Sequence, residues 1–206
     1  MLEALPEFTS KLEVLLAACF FGYLAGSIPF GILISKFLGL GDLRKVGSGN
    51  IGATNVLRTG NKFAAFLTLL LDFLKGVCTV LIIKHFFAQD AVQLSAFGAL
   101  IGHCFPVWLR FKGGKGVATF LGVAVALSFL IGVICCLVWL LVALMKRMSS
   151  LASLVSSLSA PIAAIFLSQP STLVLLILLT VVGFFRHGQN ISRIIKGVEP
   201  KIGTTE

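Results

Sequence analysis

Between Val46 and Arg58 the chain reads Val46-Gly47-Ser48-Gly49-Asn50-Ile51-Gly52-Ala53-Thr54-Asn55-Val56-Leu57-Arg58. Gly47, Gly49 and Gly52 let the backbone take positive φ and bring its N–H groups against a ligand. Ser48, Asn50, Thr54 and Asn55 add neutral donors, and Arg58 supplies a planar, two-pronged cation suited to phosphate. A helix that starts inside this stretch would aim unpaired N–H groups at an anion.

Three further stretches carry the same kind of chemistry. Phe111-Lys112-Gly113-Gly114-Lys115-Gly116 sets lysines around a Gly-Gly pair, so exposed backbone donors are expected beside mobile positive charge. Lys146-Arg147-Met148-Ser149-Ser150-Leu151-Ala152-Ser153 offers hydroxyls that could cap a helix or donate to phosphate. Ser150 and Ser153 are the candidates for the second role, and the sequence does not separate them. In Arg186-His187-Gly188-Gln189-Asn190-Ile191-Ser192-Arg193, the side chains of His187, Asn190 and Arg193 recur every third position and share a helical face. The first stretch is close to a nucleotide P-loop, but Ala53 stands where that motif requires lysine. It also lacks the strand and helix that flank a P-loop, so nucleotide hydrolysis is not expected.

The elements that position these residues must be membrane helices. The 206 residues are 57% hydrophobic and 12% charged, with a mean hydropathy of +1.03. A water-soluble domain keeps roughly a quarter of its residues charged. Lipid is therefore the solvent for most of the chain, and a lipid-facing backbone must be helical. Apolar runs cover about 13–38, 63–87, 92–109, 117–145, 152–168 and 171–186.

Basic residues follow the first, third, fourth and last runs, whereas Glu3, Glu7, Glu13 and Asp90 fall on the opposite side. The positive-inside rule then places the N-terminus outside and the C-terminus in the cytoplasm. Run 117–145 has basic clusters at both ends and is about thirty residues long, more than one span needs. Two short helices turning near Gly132, as a hairpin or a re-entrant pair, reconcile both facts and bring the total to about seven helices. The whole chain, 1–206, reads as one all-α integral membrane domain. Asp72 and Lys75, inside the second run, are expected to pair in support of the loop above.

The net charge of +9 is spread over these short clusters, without aromatic platforms, so nucleic acid is not expected as a partner. Cys19, Cys78, Cys104, Cys135 and Cys136 lie in or beside apolar runs and read as small packing residues. The histidines are scattered and no carboxylate cluster accompanies the basic loops, so no metal is expected.

Taken in order, GSIPFG, VGSGNIGATNVLR, DFLKG, GHCFPVWLRFKGGKGVAT and HGQNISRIIKGVEPKIG resemble the bacterial acyl-phosphate:glycerol-3-phosphate acyltransferases, from the first helix to the C-terminus. The resemblance implies a seven-helix enzyme of the inner membrane with a cytoplasmic site and no cofactor. It implies transfer of a fatty acyl group from acyl phosphate to the sn-1 hydroxyl of glycerol 3-phosphate. Its partners are then those two substrates and membrane lipid, with an acyl-phosphate-producing enzyme as a potential further one.

Two phosphorylated substrates need two anion pockets. Residues Ser48 to Asn55 are expected to hold the acyl-phosphate group. Arg58, Lys115, His187 and Asn190 are expected to grip glycerol 3-phosphate, with Ser150 or Ser153 assisting, and Gly47, Lys112, Gly113, Gly114 and Arg193 are expected to bind substrate as well. Lys115, His187 and Asn190 are the catalytic candidates. The general base is either a donor phosphate oxygen or His187.

His85-Phe86-Phe87-Ala88-Gln89-Asp90 matches the H-x-x-x-x-D signature of other lipid acyltransferases, but topology sets it across the bilayer from every basic loop, as a coincidence. An organic-phosphate transporter would instead need polar residues lining a path at mid-membrane. A membrane anchor would leave the Gly-rich loop without purpose.

Overall fold

The computed structural model describes residues 6–203, and among these every regular element is helical. The first apolar run is one passage in two pieces, α1 (Leu12–Gly26) and α2 (Phe30–Phe37). Pro29 separates them, since it has no N–H to donate and its ring blocks the preceding turn. The carbonyls released by the break find donors elsewhere: Lys75 Nζ reaches Ile28 O at 2.9 Å and Trp108 Nε1 reaches Ser27 O at 2.6 Å. A short helix α3 (Ala53–Leu57) then leads into the long α4 (Lys62–Phe86), and α5 (Gln89–Cys104) returns.

Small residues decide which helices touch. Gly22 and Gly26 of α1 lie against the carbonyls of Ser95 and Ala99, while Gly98 and Gly102 of α5 lie against those of Cys19 and Tyr23. Any Cβ at these four positions would enter a backbone carbonyl of the other helix. Without a hydrophobic force between helices in lipid, such close backbone approach supplies the packing energy. Gly76 of α4 and Gly122 of α6 (Val117–Leu127) repeat the device, facing the Thr119 and Phe73 carbonyls respectively.

Run 117–145 does split into two helices, α6 and α7 (Phe129–Lys146), but the turn is at Ser128 rather than near Gly132. Gly132 lies inside α7, where its missing side chain admits the Val125 backbone of the facing leg. A glycine there serves close approach, not a positive φ. The legs are unequal, because the 11 residues of α6 reach about 16 Å and the 18 of α7 about 27 Å.

Helix α8 (Ser149–Phe166) presents small residues to its neighbours: Ser156 Oγ donates to Cys135 O at 2.7 Å. Helix α9 (Leu173–Arg186) contributes Thr180, whose hydroxyl donates to Ser157 O at 2.8 Å. The short amphipathic α10 (Gly188–Ile195) bends away from the Pro170–Arg186 segment by 66°. Five helical stretches are long and apolar enough to cross a bilayer, and the bent α9–α10 pair makes a sixth. The short α6 is the remaining apolar passage of the seven expected. Outward side chains such as Phe37, 89% exposed, and Leu144, 70% exposed, face the lipid expected around this multi-pass membrane protein.

At the end of the bundle formed by the N-terminus of α5, Asp90 is 1% exposed and accepts hydrogen bonds from Thr9 N, Ser10 N and Ser10 Oγ. It pins the N-terminal segment, and His85 is exposed beside it. The Asp90 half of the H-x-x-x-x-D signature thus has a structural use.

Gly98→Val should cost about 3 kcal/mol or more by driving α1 and α5 apart. In detergent the variant is expected to melt well below the wild type, whereas Gly183→Ala, with open space at its Cβ position, should melt with it.

Candidate active site

The Gly-rich loop closes on itself before it faces any ligand. Asn55, 2% exposed, accepts from Ser48 N at 3.1 Å and Ser48 Oγ at 3.2 Å through Oδ1, and donates from Nδ2 to Leu43 O at 2.9 Å. Asn55 is therefore the brace of the loop, with both ends of its amide engaged by the protein. Gly47 has φ 46°, and a Cβ there would sit 2.5 Å from an Arg58 guanidinium nitrogen. The same glycine thus permits the turn and makes room for Arg58. As expected, a helix starts within the loop: α3 follows Gly52, so its first-turn N–H groups lie in the segment carrying Asn50 and Thr54. Thr54 Oγ1 lies 3.2 Å from Ser149 Oγ, joining this loop to the start of α8.

The Gly113–Gly114 pair does not offer the free backbone donors expected of it. Gly113 N donates to Cys104 O and Gly114 N to His103 O, each at 3.1 Å, completing the end of α5. Their carbonyls are also taken: Arg186 Nε donates to Gly114 O at 3.0 Å and a terminal nitrogen of the same guanidinium to Gly113 O at 2.9 Å. These bonds hold the backbone rigid immediately before Lys115. Lys112 is exposed on the outer side of the turn.

The remaining candidates gather around a carboxylate the sequence reading passed over. Glu199 accepts from Ser150 Oγ at 2.6 Å, Asn190 Nδ2 at 2.6 Å and Arg193 Nε at 2.8 Å. The 3-residue spacing did put Asn190 and Arg193 on one face, and Glu199 is what they both meet. Of the two serines left open, Ser150 faces this cluster. Ser153 instead donates to Ser149 O at 2.7 Å within α8 and receives Trp139 Nε1 at 3.2 Å, although it also lines the cleft below Lys115. Neither hydroxyl caps α8, whose N-cap is Met148.

Asn190 Oδ1 is buried with no protein partner and is an acceptor available to a ligand hydroxyl. His187, 3% exposed, directs Nδ1 to Gly183 O at 2.7 Å, which fixes the proton on Nδ1 and leaves the Nε2 lone pair for a ligand. Lys115 and His187 stand at the mouth of a narrow cleft walled by Leu100, Phe120 and Leu179.

Glu199 and Arg186 were legible only as charges, since no spacing rule links either to the partners it finds. One signal for Glu199 was available: it is one of 8 acidic residues in the chain and lies among Arg193, Lys196 and Lys201.

Electrostatics follow from this crowding. Burial would raise the Glu199 carboxyl, but the hydrogen bonds from Ser150, Asn190 and Arg193 outweigh it and hold the group below its ordinary value. Burial pushes the Lys115 ammonium down to about 8; Glu199 opposes this, while Arg193, Arg186 and Arg58 add to it. Burial likewise lowers His187 to about 4, against the bond to Gly183 and with help from Lys115. At neutral pH the cluster holds charged Lys115 and neutral His187, with cations in excess of the single carboxylate. This arrangement has the charge and the free acceptors to suit an anion that also carries a hydroxyl.

Lys115 loses its charge as pH rises through about 8, and a bound phosphate would hold the proton on. Calorimetric titration with glycerol 3-phosphate, the substrate the resemblance implies, should therefore show near-constant affinity up to about pH 7, about a twofold loss by pH 8 and beyond that a fall approaching about tenfold per pH unit. Because Glu199 raises the Lys115 value, Glu199→Gln should move that break to lower pH, and Lys115→Arg should abolish it below pH 10.

Comparison with known proteins agrees with the geometry. The family model described as glycerol-3-phosphate acyltransferase matches residues 16–197. A glycerol-3-phosphate acyltransferase of Jannaschia sp. (strain CCS1) is 58% identical over 183 residues, covering 89% of this chain and 90% of its own. One from Mesorhizobium japonicum is 54% identical, covering 92% and 96%. The crystal structure of PlsY (YgiH), an integral membrane glycerol 3-phosphate acyltransferase, in its glycerol 3-phosphate form superposes with a TM-score of 0.87 at 42% identity, covering 92% of this chain and 96% of that one. The lysophosphatidic acid form gives 0.85 at 40% identity with the same coverage. The chain belongs to the glycerol-3-phosphate acyltransferase family.

Proposed function

We propose that this chain transfers a fatty acyl group from acyl phosphate to the sn-1 hydroxyl of glycerol 3-phosphate, releasing lysophosphatidic acid and inorganic phosphate. One observation carries this: the Gly-rich loop, Lys115 and the Glu199-centred donors share one end of the bundle, giving a water-soluble anion and a lipid-tailed one adjoining places. Arg58, Lys115, Arg193 and Ser150 surround the glycerol 3-phosphate headgroup. Asn50, Thr54 and the N–H groups of Ala53 and Thr54 that open α3 receive the acyl-phosphate group, whose tail lies among apolar helices; Ser48, with its N–H and hydroxyl both on Asn55, shapes the loop around it.

In the transfer, the sn-1 oxygen bonds to the acyl carbonyl carbon as the bond from that carbon to the phosphate oxygen breaks. The hydroxyl proton passes to a phosphate oxygen of the donor. His187 near 4 is too weak a base to take that proton well at neutral pH, so its Nε2 or Asn190 Oδ1 accepts instead from the neighbouring sn-2 hydroxyl, which orients glycerol 3-phosphate and leaves the sn-1 proton to the donor phosphate. Since acyl phosphate is already activated, alignment and charge stabilisation supply most of the catalysis, and no covalent acyl-enzyme is required.

Sidedness follows from the charges. Apart from Lys11, Lys84 and buried Lys75, every Lys and Arg belongs to the loops and helix ends at the site's end of the bundle. This favours a cytoplasmic site in the inner membrane, with the N-terminus outside and the chain acting as a single membrane domain.

Purified protein given palmitoyl phosphate and glycerol 3-phosphate is expected to form lysophosphatidic acid and phosphate, with none from palmitoyl-CoA. Turnover with the thioester alone would reverse the donor assignment. In sealed vesicles of known orientation, cysteines placed at positions 50, 115 and 190 should all react from the cytoplasmic side.

His187→Gln retains an acceptor and should keep kcat within about tenfold while raising KM for glycerol 3-phosphate. A loss of kcat greater than about a hundredfold with KM unchanged would make His187 the base.

A further inference from the structure

Below the site, the pair expected in the second run has a third member. Asp72, 3% exposed, lies 2.7 Å from Lys75 Nζ and 3.6 Å from His103 Nδ1. Thr119 Oγ1 donates to Asp72 O at 3.0 Å and lies 3.3 Å from His103 Nδ1, which can therefore donate to it. The network joins α4, α5 and α6, and through Lys75 it also holds the Ile28 carbonyl freed at the Pro29 break. None of these groups borders the cluster around Glu199, and the proposed chemistry uses none of them.

The other edge of the His103 ring faces Gly114. The nearest atoms to a Cβ built on Gly114 are Nε2, Cδ2 and Cε1 of His103. Gly114 also donates its N–H to the His103 carbonyl, and the next residue is Lys115. His103 thus bounds the Gly114 backbone by both its ring and its carbonyl, while Arg186 holds the carbonyls on the far side.

We infer that His103 is a positioning residue for glycerol 3-phosphate binding: its ring, fixed by Asp72 and Thr119, is the wall that sets where the Gly113–Gly114 backbone delivers Lys115. This rests on the proposed role of Lys115 at the glycerol 3-phosphate headgroup. Sequence spacing hides the relation, because His103 and Gly114 are partners only through the turn that folds 105–113 back onto α5.

The test is a size swap in the full-length protein, comparing Gly114→Ala, His103→Asn and their combination with the wild type. Asn keeps a donor near the place of Nδ1 and removes the ring edge that faces Gly114. Gly114→Ala is expected to raise KM for glycerol 3-phosphate about tenfold or more, leaving KM for palmitoyl phosphate within about twofold. The double variant should recover most of that loss, a non-additivity expected only for groups in direct contact.

Additive defects, or an equal rise in both KM values, would overturn the inference. Should Gly114→Ala fail to accumulate as folded protein, rescue by the double variant supports the inference and failure of both overturns it. Calorimetric binding of glycerol 3-phosphate reads the swap without any acyl donor. The swap can therefore fail while the wild type turns over, and wild-type inactivity with acyl phosphate does not decide the swap.

Discussion

A polar group surrounded by hydrocarbon has no water to turn to, and that constraint shapes this protein more than any single contact. The carbonyls released at Pro29 are taken by Lys75 and Trp108, and those at the end of α5 by Gly113 and Gly114. Ser156, Ser157 and Thr180 of α8 and α9 donate to backbone of their own or neighbouring helices. Polar side chains at depth are largely committed to closing backbone breaks or joining helices. Ligand chemistry is left to one end of the bundle, where loops and short helices replace continuous spans.

At that end the organising group is an anion. Arg193, Asn190 and Ser150 would repel or ignore one another without Glu199, whose two carboxylate oxygens accept from all three. Glu199 also keeps Lys115 charged near neutrality despite the desolvation of its ammonium. One carboxylate thus holds several donors in place while leaving the site net positive, so an incoming phosphate replaces solvent rather than reorganising side chains. Such prior orientation is the form of catalysis the proposed acyl-phosphate reaction most needs.

The glycines divide into two groups with different duties. Those of α1, α4, α5, α6 and α7 allow backbones to touch, which fixes the helices and therefore the ends from which the loops depart. Gly47 belongs to the second group, giving the loop its left-handed turn and Arg58 its space. Gly114 belongs with the first group in its close approach, but what it abuts is a buried ring, and it directly precedes Lys115.

The sequence by itself determined that the chain lives in lipid, that its spans are helical, and which polar stretches share a side. Composition, run length and the placement of Lys and Arg are properties of the chain alone, and they act through solvent rather than through particular partners. The divided passage after Lys115 was legible for the same reason, although glycine misled on where it turns. Only tertiary structure decided that Asn55 braces its loop, that Gly113 and Gly114 spend their amides on α5, that Glu199 gathers Ser150, Asn190 and Arg193, and that the His103 ring abuts Gly114. Each of those facts is a pairing between groups far apart in the chain or hidden from any periodicity. Hydrogen-bond commitment depends on where the backbone ends up, and a list of residue types does not contain that position.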